Sequence, residues 1–458
     1  MTTAHDLAER TGGRRAVGPA DAGPSGLPLT AAQAALWDVR TGAAPAANTA
    51  ECLEIHGHLD PVLFAEALHR TVGEADALRV RLVNTPDGPR QLPIAVEAPG
   101  HGFPLYAADL RDQGDPDATA HAWMRADLDT PFDPRTGPLF AHALFRVGER
   151  RWLWYQRVHG AVLDGYGYCL VARRAAEIYT TLTEGGTPGP SPFGRLAGLV
   201  AEDTLYRASE AYERDRAYWR RKLTDFRGAP TPAGRTAPAS PTALRRTARL
   251  DGRTSERLRD LAGAVRATWT DVVLAAQAYD LARATGASDV VLGVPMMGRT
   301  ASSALRVPGM VRTVLPLRLT VGRDTTFAEL THQAAQSVRA ARRHQRYRQE
   351  DIRRDLGLPA GVPLVGPVVN VVPFNSGLLF GQAPSRALSL APGPVDDLTV
   401  TLHDRADSTG LRVDHEANPA LYGEDELATH QERFVELLAR VADWDPHRAL
   451  AELPGRTE

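Results

Sequence analysis

The chain has 458 residues, of which 43% are hydrophobic and 24% are charged, a balance typical of a folded globular protein. Its formal net charge is −2, so no broad positive field attracts nucleic acid or an anionic membrane surface. No apolar run approaches the roughly 18 residues of a membrane-spanning helix. Because the length exceeds what one hydrophobic core usually fills, we expect two or three domains, or two large lobes.

Two cysteines, Cys52 and Cys169, are too few for a disulfide framework, and their spacing fits no metal site. They favour a reducing compartment, and the N-terminus lacks the apolar core of a signal peptide, so we predict a cytoplasmic protein. Residues 1–26 are rich in Gly, Ala and Pro and are predicted to form a flexible leader. His56 and His58 lie two apart on a predicted strand, but without a clear carboxylate or cysteine partner on that face we predict no metal site.

Helical signals open the first half of the chain. Thr30 is the predicted N-cap of a short helix. Asp60 caps a longer helix that starts at Pro61, and its predicted buried stripe leads into a strand near residues 78–82. The stripe consists of Phe64, Ala67, Leu68, Thr71 and Val72.

Two strands follow, because β-favouring residues alternate on either side of Gly148. The second strand ends at His159. Helical spacing resumes after Asp164-Gly165 and is broken by the Gly/Pro-rich stretch 183–194, which we interpret as the main domain boundary. A polar-faced helix over 206–223 and a low-complexity linker over 228–242 come next.

The second half repeats this mixture of elements. Two helices are predicted, capped by Thr254 or Ser255 and by Thr270, and Gly286 ends the second. The remaining predicted elements are strands in "DVVLGVP", "GMVRTVLPLRL", "VVNVVPF" and "LTVTLHD", a helix in "TTFAELTHQAAQSVRAARR" and a last helix in "EDELATHQERFVELLARVAD". We therefore predict an α+β fold with an N-terminal lobe over 27–185 and a C-terminal lobe over 186–458.

The stretch "QRVHGAVLDGYG" is the first candidate for chemistry, because it places His159 five positions before the Asp164-Gly165 pair. An imidazole titrates near neutrality and moves protons, while a nearby carboxylate orients it. The structural alternative is a partly buried histidine followed by a turn-forming Asp-Gly. The motif alone does not decide between them.

Eight blocks in the same order resemble the condensation domain of nonribosomal peptide synthetases from about Leu27 to Asp443. The blocks are "LTAAQAALW", "EADALRVRL", "VHGAVLDGYG", "YERDRAYWRRKL", "VPMMGR", "PGMVRTVLPLRL", "HQRYRQEDIRRDLG" and "GPVVNVVPFN". The residues in these blocks are most similar to those of condensation domains in enterobactin-type siderophore assembly lines. In that subgroup the acyl donor is often an aryl acid such as dihydroxybenzoate, and the acceptor is an aminoacyl thioester or a free amine.

The resemblance implies two chloramphenicol-acetyltransferase-like lobes in a V-shaped pseudo-dimer with a central tunnel. No cofactor is expected in the chain itself; 4′-phosphopantetheine arms on peptidyl or aryl carrier proteins would bring the substrates, and we expect a monomer. His159 matches the first histidine of the family's His-His-x-x-x-Asp-Gly motif, and Asp164 and Gly165 match its last two residues. Arg299 matches an arginine expected to pair with Asp164 across the lobes, where the alternative is an exposed loop arginine.

The chain departs from the family at two places near the expected tunnel. Gly160 stands where the family has its second histidine, the residue credited with catalysis, and it has no side chain to carry a proton. Thr313, with Arg312 beside it, stands where relatives usually have an asparagine. The other expected tunnel residues are Tyr166, Asn370 and Asp397; for Tyr166 and Asp397 the alternative is packing or loop solvation.

General acid–base catalysis contributes about 10²–10⁴-fold, whereas alignment of two reactants reaches effective molarities of roughly 10⁵–10⁸ M. We therefore predict an acyltransferase that forms an amide bond mainly by alignment, with water, His159, Tyr166 or Asp397 moving protons. Two alternatives stay open: a platform that binds carrier proteins without catalysis, and an enzyme repurposed for cyclisation or another acyl transfer.

Overall fold

The computed structural model describes residues 26–37, 48–94, 105–300, 302–372, 377–391, 393–404 and 410–453. The predicted leader lies outside these residues, except for its last position. The helices are α1 Ala31–Ala34, α2 Pro61–Glu74, α3 Pro116–Leu128, α4 Gly165–Thr183, α5 Leu196–Arg207, α6 Glu210–Lys222, α7 Gly252–Ala264, α8 Trp269–Thr285, α9 Phe327–Arg343, α10 Gln349–Asp355 and α11 Glu424–Ala442.

The strands alternate with these helices along the chain. They are β1 Leu27–Pro28, β2 Asn48–His56, β3 Val80–Thr85, β4 Gly88–Pro93, β5 Leu105–Asp109, β6 Phe140–Gly148, β7 Arg151–His159, β8 Leu244–Leu250, β9 Asp289–Met296, β10 Thr313–Thr320, β11 Val368–Val372, β12 Leu379–Phe380, β13 Ala383–Ala391, β14 Leu398–Asp404 and β15 Leu411–Ala417. None of the helices within the described ranges is long and apolar enough to cross a membrane.

The chain divides into two compact units. Unit 1 contains Met1–Ala208, Arg299–Val311 and Ser376–Gly393, and unit 2 contains the rest. The sequence placed a single division after residue 185, whereas α5 belongs to unit 1 and two later segments return to it. Each unit has its own sheet of six strands among the described residues, so the predicted α+β class is confirmed.

The sheet of unit 1 has the strand order β12-β13-β2-β7-β6-β5, and β2 pairs with β7 along nine residues, from Asn48 opposite His159 to His56 opposite Arg151. Alternate side chains of a strand point to opposite faces. One face packs against α2 and α4 through a cluster that includes Phe64, Trp154 and Ile178. The other face packs against α3. This sheet carries His159 at the end of β7.

The sheet of unit 2 has the strand order β10-β9-β11-β14-β15-β8, in which β11 runs parallel to both of its neighbours. Its apolar face and helices α7, α8, α9 and α11 form the largest core of the chain, with Val400, Val413 and Phe434 at its centre. The residues of its other face form rows across four strands. One row runs from Asn370 through Thr401 and Asp414 to Thr247.

Helix α2 follows its local sequence signals. Asp60 is the N-cap, and its carboxylate accepts hydrogen bonds from the backbone N–H groups of Val62 and Leu63. Pro61 occupies the first helical position. The five residues of the predicted stripe are the buried residues of the helix, so this prediction is confirmed. The two strands around Gly148 and the C-terminal stop at Gly286 are also confirmed.

Several predicted boundaries were wrong. Helix α7 is capped by Asp251 and helix α8 by Thr268, so both start earlier than predicted. The side chain of each cap accepts a hydrogen bond from the backbone N–H three residues later, which is that of Thr254 for Asp251 and that of Asp271 for Thr268. Caps at the predicted positions would have left these N–H groups unpaired. The predicted helix over 206–223 is two helices, because Ser209 caps a new one.

The strand predicted near residues 78–82 starts at Val80. A single 3-10 turn, Asp76–Arg79, precedes it, and the Asp76 carboxylate accepts hydrogen bonds from Arg79 and Arg195. His58 does not share a strand with His56, since β2 ends at His56. Cys52 and Cys169 are both free.

Candidate active site

The loop after β7 connects a strand to a helix over five residues. Asp164 is the N-cap of α4, and its Oδ1 accepts a hydrogen bond from the N–H of Gly167 at 2.9 Å. Aspartate is a favoured N-cap because its carboxylate satisfies N–H groups that the first helical turn leaves unpaired. The predicted helix therefore begins at Gly165, directly after the Asp-Gly pair, and the motif forms the whole strand-to-helix connection.

The second oxygen of Asp164 is paired with Arg299. Arg299 Nη1 lies 2.6 Å from Asp164 Oδ2, and the N–H of Val311 donates to the same oxygen at 3.0 Å. The guanidinium also donates to the carbonyl oxygens of Gly309 at 2.8 Å and Ala304 at 3.2 Å. Arg299 thus ties the motif to residues 304–311. The sequence predicted a pair across two lobes, but both residues belong to unit 1.

Tyr166 completes this arrangement on the other side of Arg299. Its ring lies 4.9 Å from the guanidinium carbon, within the range of a cation–π contact. Its hydroxyl donates to the carbonyl oxygen of Leu305 at 3.1 Å. The side chain therefore supports the same segment that Arg299 holds.

His159 is buried, with 2% of its surface exposed. Burial lowers its pKa to about 4, so the imidazole is neutral at physiological pH. The N–H of Ala161 donates to Nδ1 at 3.1 Å, which places the proton of the neutral ring on Nε2. Among the described residues Nε2 has no hydrogen-bond partner. The side chain is consequently an unused hydrogen-bond donor.

The glycines of the motif differ in their surroundings. Gly160 is buried in the turn after His159. A Cβ on Gly165 would meet no atom within 4 Å, whereas a Cβ on Gly167 would lie 2.9 Å from Leu163 Cδ2 and 3.3 Å from the backbone nitrogen of Gly309. Gly167 therefore allows the two backbones to approach closely. The sequence analysis missed it, although the second glycine of "DGYG" was a signal for a close contact.

The remaining predicted site residues lie in unit 2. Thr313 is buried at the start of β10, and its Oγ1 accepts the N–H of Gln349 at 3.4 Å. The carbonyl of the preceding Arg312 accepts from Arg348. Asn370 lies half-buried in β11, opposite Thr401 of β14.

Asp397 lies just before β14, and its Oδ1 accepts the hydroxyl of Tyr422 at 2.5 Å. Burial raises its pKa to about 6, and its Oδ2 has no partner among the described residues. Its backbone carbonyl accepts the N–H of Asn418.

The structure thus brings together six predicted residues in unit 1: His159, Gly160, Asp164, Gly165, Tyr166 and Arg299. The four in unit 2 lie at or just before the start of a strand, as Arg312 and Thr313 do at β10 and Asp397 does at β14, or inside one, as Asn370 does in β11. In the described part of the chain, no three His, Cys, Asp or Glu side chains are grouped so that they would hold a metal ion.

The family profile of the condensation domain matches residues 25–454, and the chain therefore belongs to the condensation-domain family. The chain is 44% identical over 435 residues to an isonitrile lipopeptide synthase of Streptomyces coeruleorubidus, covering 94% of this chain and 29% of that protein. It is 36% identical to enterobactin synthase component F of Escherichia coli strain K12, covering 91% of this chain and 32% of that protein. The chain spans about a third or less of these relatives.

Solved structures of condensation domains have the same fold. One is a variant of the starter condensation domain of rhizomide synthetase in complex with C8-CoA and Leu-SNAC, with a TM-score of 0.86 and 36% identity. The match covers 93% of this chain and 96% of that chain. This likeness confirms the chloramphenicol-acetyltransferase-like fold that the resemblance implied.

Proposed function

We propose that the protein joins an acyl group, held as a thioester on a carrier protein, to an amine acceptor. The amine nitrogen attacks the thioester carbonyl, the C–S bond breaks, and the proton lost by the amine ends on the departing thiol, so an amide and a free phosphopantetheine thiol result. The 4′-phosphopantetheine arm belongs to a peptidyl or aryl carrier protein, and the protein itself acts as a monomer in a reducing, cytoplasmic compartment. The two free cysteines are consistent with that compartment.

The observation that carries this proposal is the buried, neutral His159 in a loop held by Asp164 and Arg299. Its Nε2–H has no partner among the described residues, so it is available to donate a hydrogen bond to the oxyanion that develops on the thioester carbonyl. It is not a strong base, because Nε2 already carries the ring proton and protonation of Nδ1 would break the hydrogen bond that Nδ1 accepts from Ala161. Gly160 supplies no side chain, and we infer that alignment of the two substrates provides most of the rate enhancement.

The acyl donor belongs to one of two classes, aryl acids or fatty acids. The relatives include an enterobactin synthase component, a lipopeptide synthase and a starter domain in complex with C8-CoA. A test of the proposed function therefore offers both an aryl and a fatty acyl donor.

The experiment measures acyl transfer by intact-mass spectrometry from carrier-bound aryl, aminoacyl and octanoyl thioesters to a panel of amines. The unaltered protein is compared with Gly160→His, with His159→Leu and with a reaction that lacks the protein. We expect amide formation above the uncatalysed rate, a further increase of up to about 10²-fold in Gly160→His, and a loss of at least about 10-fold in His159→Leu. Amide formation at the uncatalysed rate with every donor would overturn the proposal.

The second candidate function is a platform that binds carrier proteins without catalysis. The observation that favours it is Gly160 itself, because the position carries no group that transfers a proton. The platform function predicts that the unaltered protein binds carrier proteins without forming an amide, and that only Gly160→His is active.

A further inference from the structure

A row of polar side chains crosses the sheet of unit 1 beneath helix α4. Glu51 of β2 lies directly opposite Gln156 of β7, and Gln156 lies directly opposite His142 of β6. By strand alternation these three share a face with Leu53 and Trp154, which pack against α2 and α4. The row therefore lies on the covered, largely apolar face of the sheet, where a polar side chain needs a partner.

Gln156 and Glu51 have no such partner in the described part of the chain. Only 1% of Gln156 is exposed, and its Nε2 is buried without a hydrogen bond. Glu51 is half-buried, and no hydrogen bond or ion pair to its carboxylate is present among the described residues. Burial raises its pKa to about 7. A buried amide nitrogen left without a hydrogen bond costs free energy, and such a group in a native structure calls for an explanation, of which a functional role is one.

The neighbours of Glu51 do not neutralise it. The charge of Glu51 raises the pKa of Cys52, Tyr168 and Cys169, which places these groups near the carboxylate. None of them is a cation. His142, at the other end of the row, is kept neutral because burial lowers its pKa to about 3.

The row lies close to the motif. Glu51 is opposite Gln156, three residues before His159 along β7, which corresponds to about 10 Å between backbone positions at the rise of a β-strand, with the His159 side chain on the opposite face of the sheet. Tyr168, four residues after Asp164, contacts β2 two residues before Glu51. Its hydroxyl donates to the carbonyl oxygen of Thr49 at 2.8 Å and lies 2.9 Å from Thr49 Oγ1. The polar row and the motif are therefore connected by the first turn of α4.

We propose that Glu51 and Gln156 form a specificity site for a hydrogen-bond-donating group, a hydroxyl or an ammonium, on one of the two substrates. The carboxylate of Glu51 accepts the hydrogen bond, and the amide of Gln156 bonds to the same group. An unsubstituted alkyl or phenyl group beside these two side chains would leave both of them without that hydrogen bond. This inference rests on the proposed function, because it assigns Glu51 and Gln156 to the recognition of a substrate of that reaction.

The test uses binding, so that it does not depend on turnover. The acyl donor is represented by stable pantetheine analogues in which an amide replaces the thioester. They carry benzoate or 2-, 3- or 4-hydroxybenzoate. The acceptor is represented by analogues of the same kind that carry phenylalanine, tyrosine or lysine. Their affinities are measured by calorimetric titration for the unaltered protein, for Glu51→Gln and Gln156→Leu, and for Glu66→Gln, a control on α2 whose side chain is 31% exposed.

We expect at least one hydroxylated or amino analogue to bind about 10-fold or more tightly than its unsubstituted counterpart, since a hydrogen bond to a charged group is worth about 1.5–3 kcal/mol. Glu51→Gln and Gln156→Leu reduce that preference to about 3-fold or less, and Glu66→Gln keeps it. The series in which the preference occurs identifies the substrate as donor or acceptor. Circular dichroism and urea unfolding establish that each variant is folded.

Equal affinity for substituted and unsubstituted analogues in both series, or a preference that survives in both Glu51→Gln and Gln156→Leu, would overturn the inference. Amide formation without such a preference would leave the proposed function in place and remove the specificity site. A preference without amide formation would leave a ligand site and remove the proposed function.

Discussion

Arg299 and Asp164 form an ion pair from which solvent is almost entirely excluded: Nη1 lies 2.6 Å from Oδ2, and the two side chains are 0% and 2% exposed. Removing one partner leaves the other charge buried without compensation. We expect Arg299→Met to lower the free energy of unfolding by about 3–5 kcal/mol. Urea unfolding monitored by circular dichroism measures this loss.

The matched control for this pair is Arg135→Met. Arg135 also pairs with an aspartate, Asp133, but both side chains are well exposed, so no measurable change is expected. If Arg299→Met were as stable as the control, the pair would not hold the loop. The double variant Asp164→Leu/Arg299→Met is expected to be less destabilised than the sum of its two single variants, because no lone charge remains.

Gly167 and Gly165 provide a second comparison within three residues. A Cβ at Gly167 would crowd Leu163 and the backbone of Gly309, whereas a Cβ at Gly165 would meet nothing within 4 Å. We expect Gly167→Ala to be destabilised by about 1–3 kcal/mol, as overpacking usually is, and Gly165→Ala to be unchanged or slightly stabilised in the helix. Thermal unfolding of the two variants side by side measures the difference. Equal melting temperatures would contradict the close approach.

The protonation state of His159 is open to direct measurement. Because Nδ1 accepts the Ala161 N–H and burial lowers the pKa to about 4, we expect the ring to remain neutral, with its proton on Nε2, from pH 8 down to about pH 5. Long-range ¹H–¹⁵N correlation spectra distinguish the two neutral forms and the imidazolium. A titration midpoint near pH 6.5, or a proton on Nδ1, would exclude His159 as the donor proposed above.

We expect the free energy of unfolding to depend on pH because of Glu416, a residue of unit 2. It is buried, and desolvation raises its pKa from the usual 4.5 to about 7. Between these two pH values the folded protein binds more protons than the unfolded chain, so the stability contributed by the protonated carboxyl is complete below pH 4.5 and is lost as the pH rises to about 7.

Glu416→Gln removes this dependence. The free energy of unfolding of the unaltered protein minus that of the variant is expected to fall by up to about 3 kcal/mol between pH 4.5 and pH 7.5. Chemical denaturation at several pH values measures the difference, and the exposed Glu256→Gln serves as the control. A difference that rises with pH would mean that the ion pair with Arg245, at 3.6 Å, outweighs burial.

The features that local sequence could predict are those that local interactions decide. Asp60, Pro61 and the stripe behind them define α2 within one stretch of chain, and the predicted helix matches the structure. The N-cap of α7 was predicted at Thr254 or Ser255, but the Asp251 carboxylate accepts hydrogen bonds from the N–H and the hydroxyl of Thr254, so the cap lies three residues before Thr254. Which residue becomes the N-cap depends on how many backbone N–H groups of the first helical turn it leaves unpaired.

The parts of the site that local sequence could not predict depend on distant contacts. Asp164 was identified from its motif, but the hydrogen bonds of its partner Arg299 to Ala304 and Gly309 required the path of the chain. The polar row of Glu51 and Gln156 was not visible either, since the two residues lie 105 positions apart and only the pairing register of β2 and β7 places them opposite one another.

The order of the strands in unit 1 also has a consequence for synthesis on the ribosome. Strand β13, which pairs with β2, is encoded more than 300 residues after it. Until β13 has emerged, one edge of β2 has no neighbour from this part of the sheet, and an open strand edge recruits other chains. The nascent protein therefore has to protect that edge throughout the translation of most of unit 2, and a truncation before residue 383 is expected to aggregate rather than to yield a free N-terminal lobe.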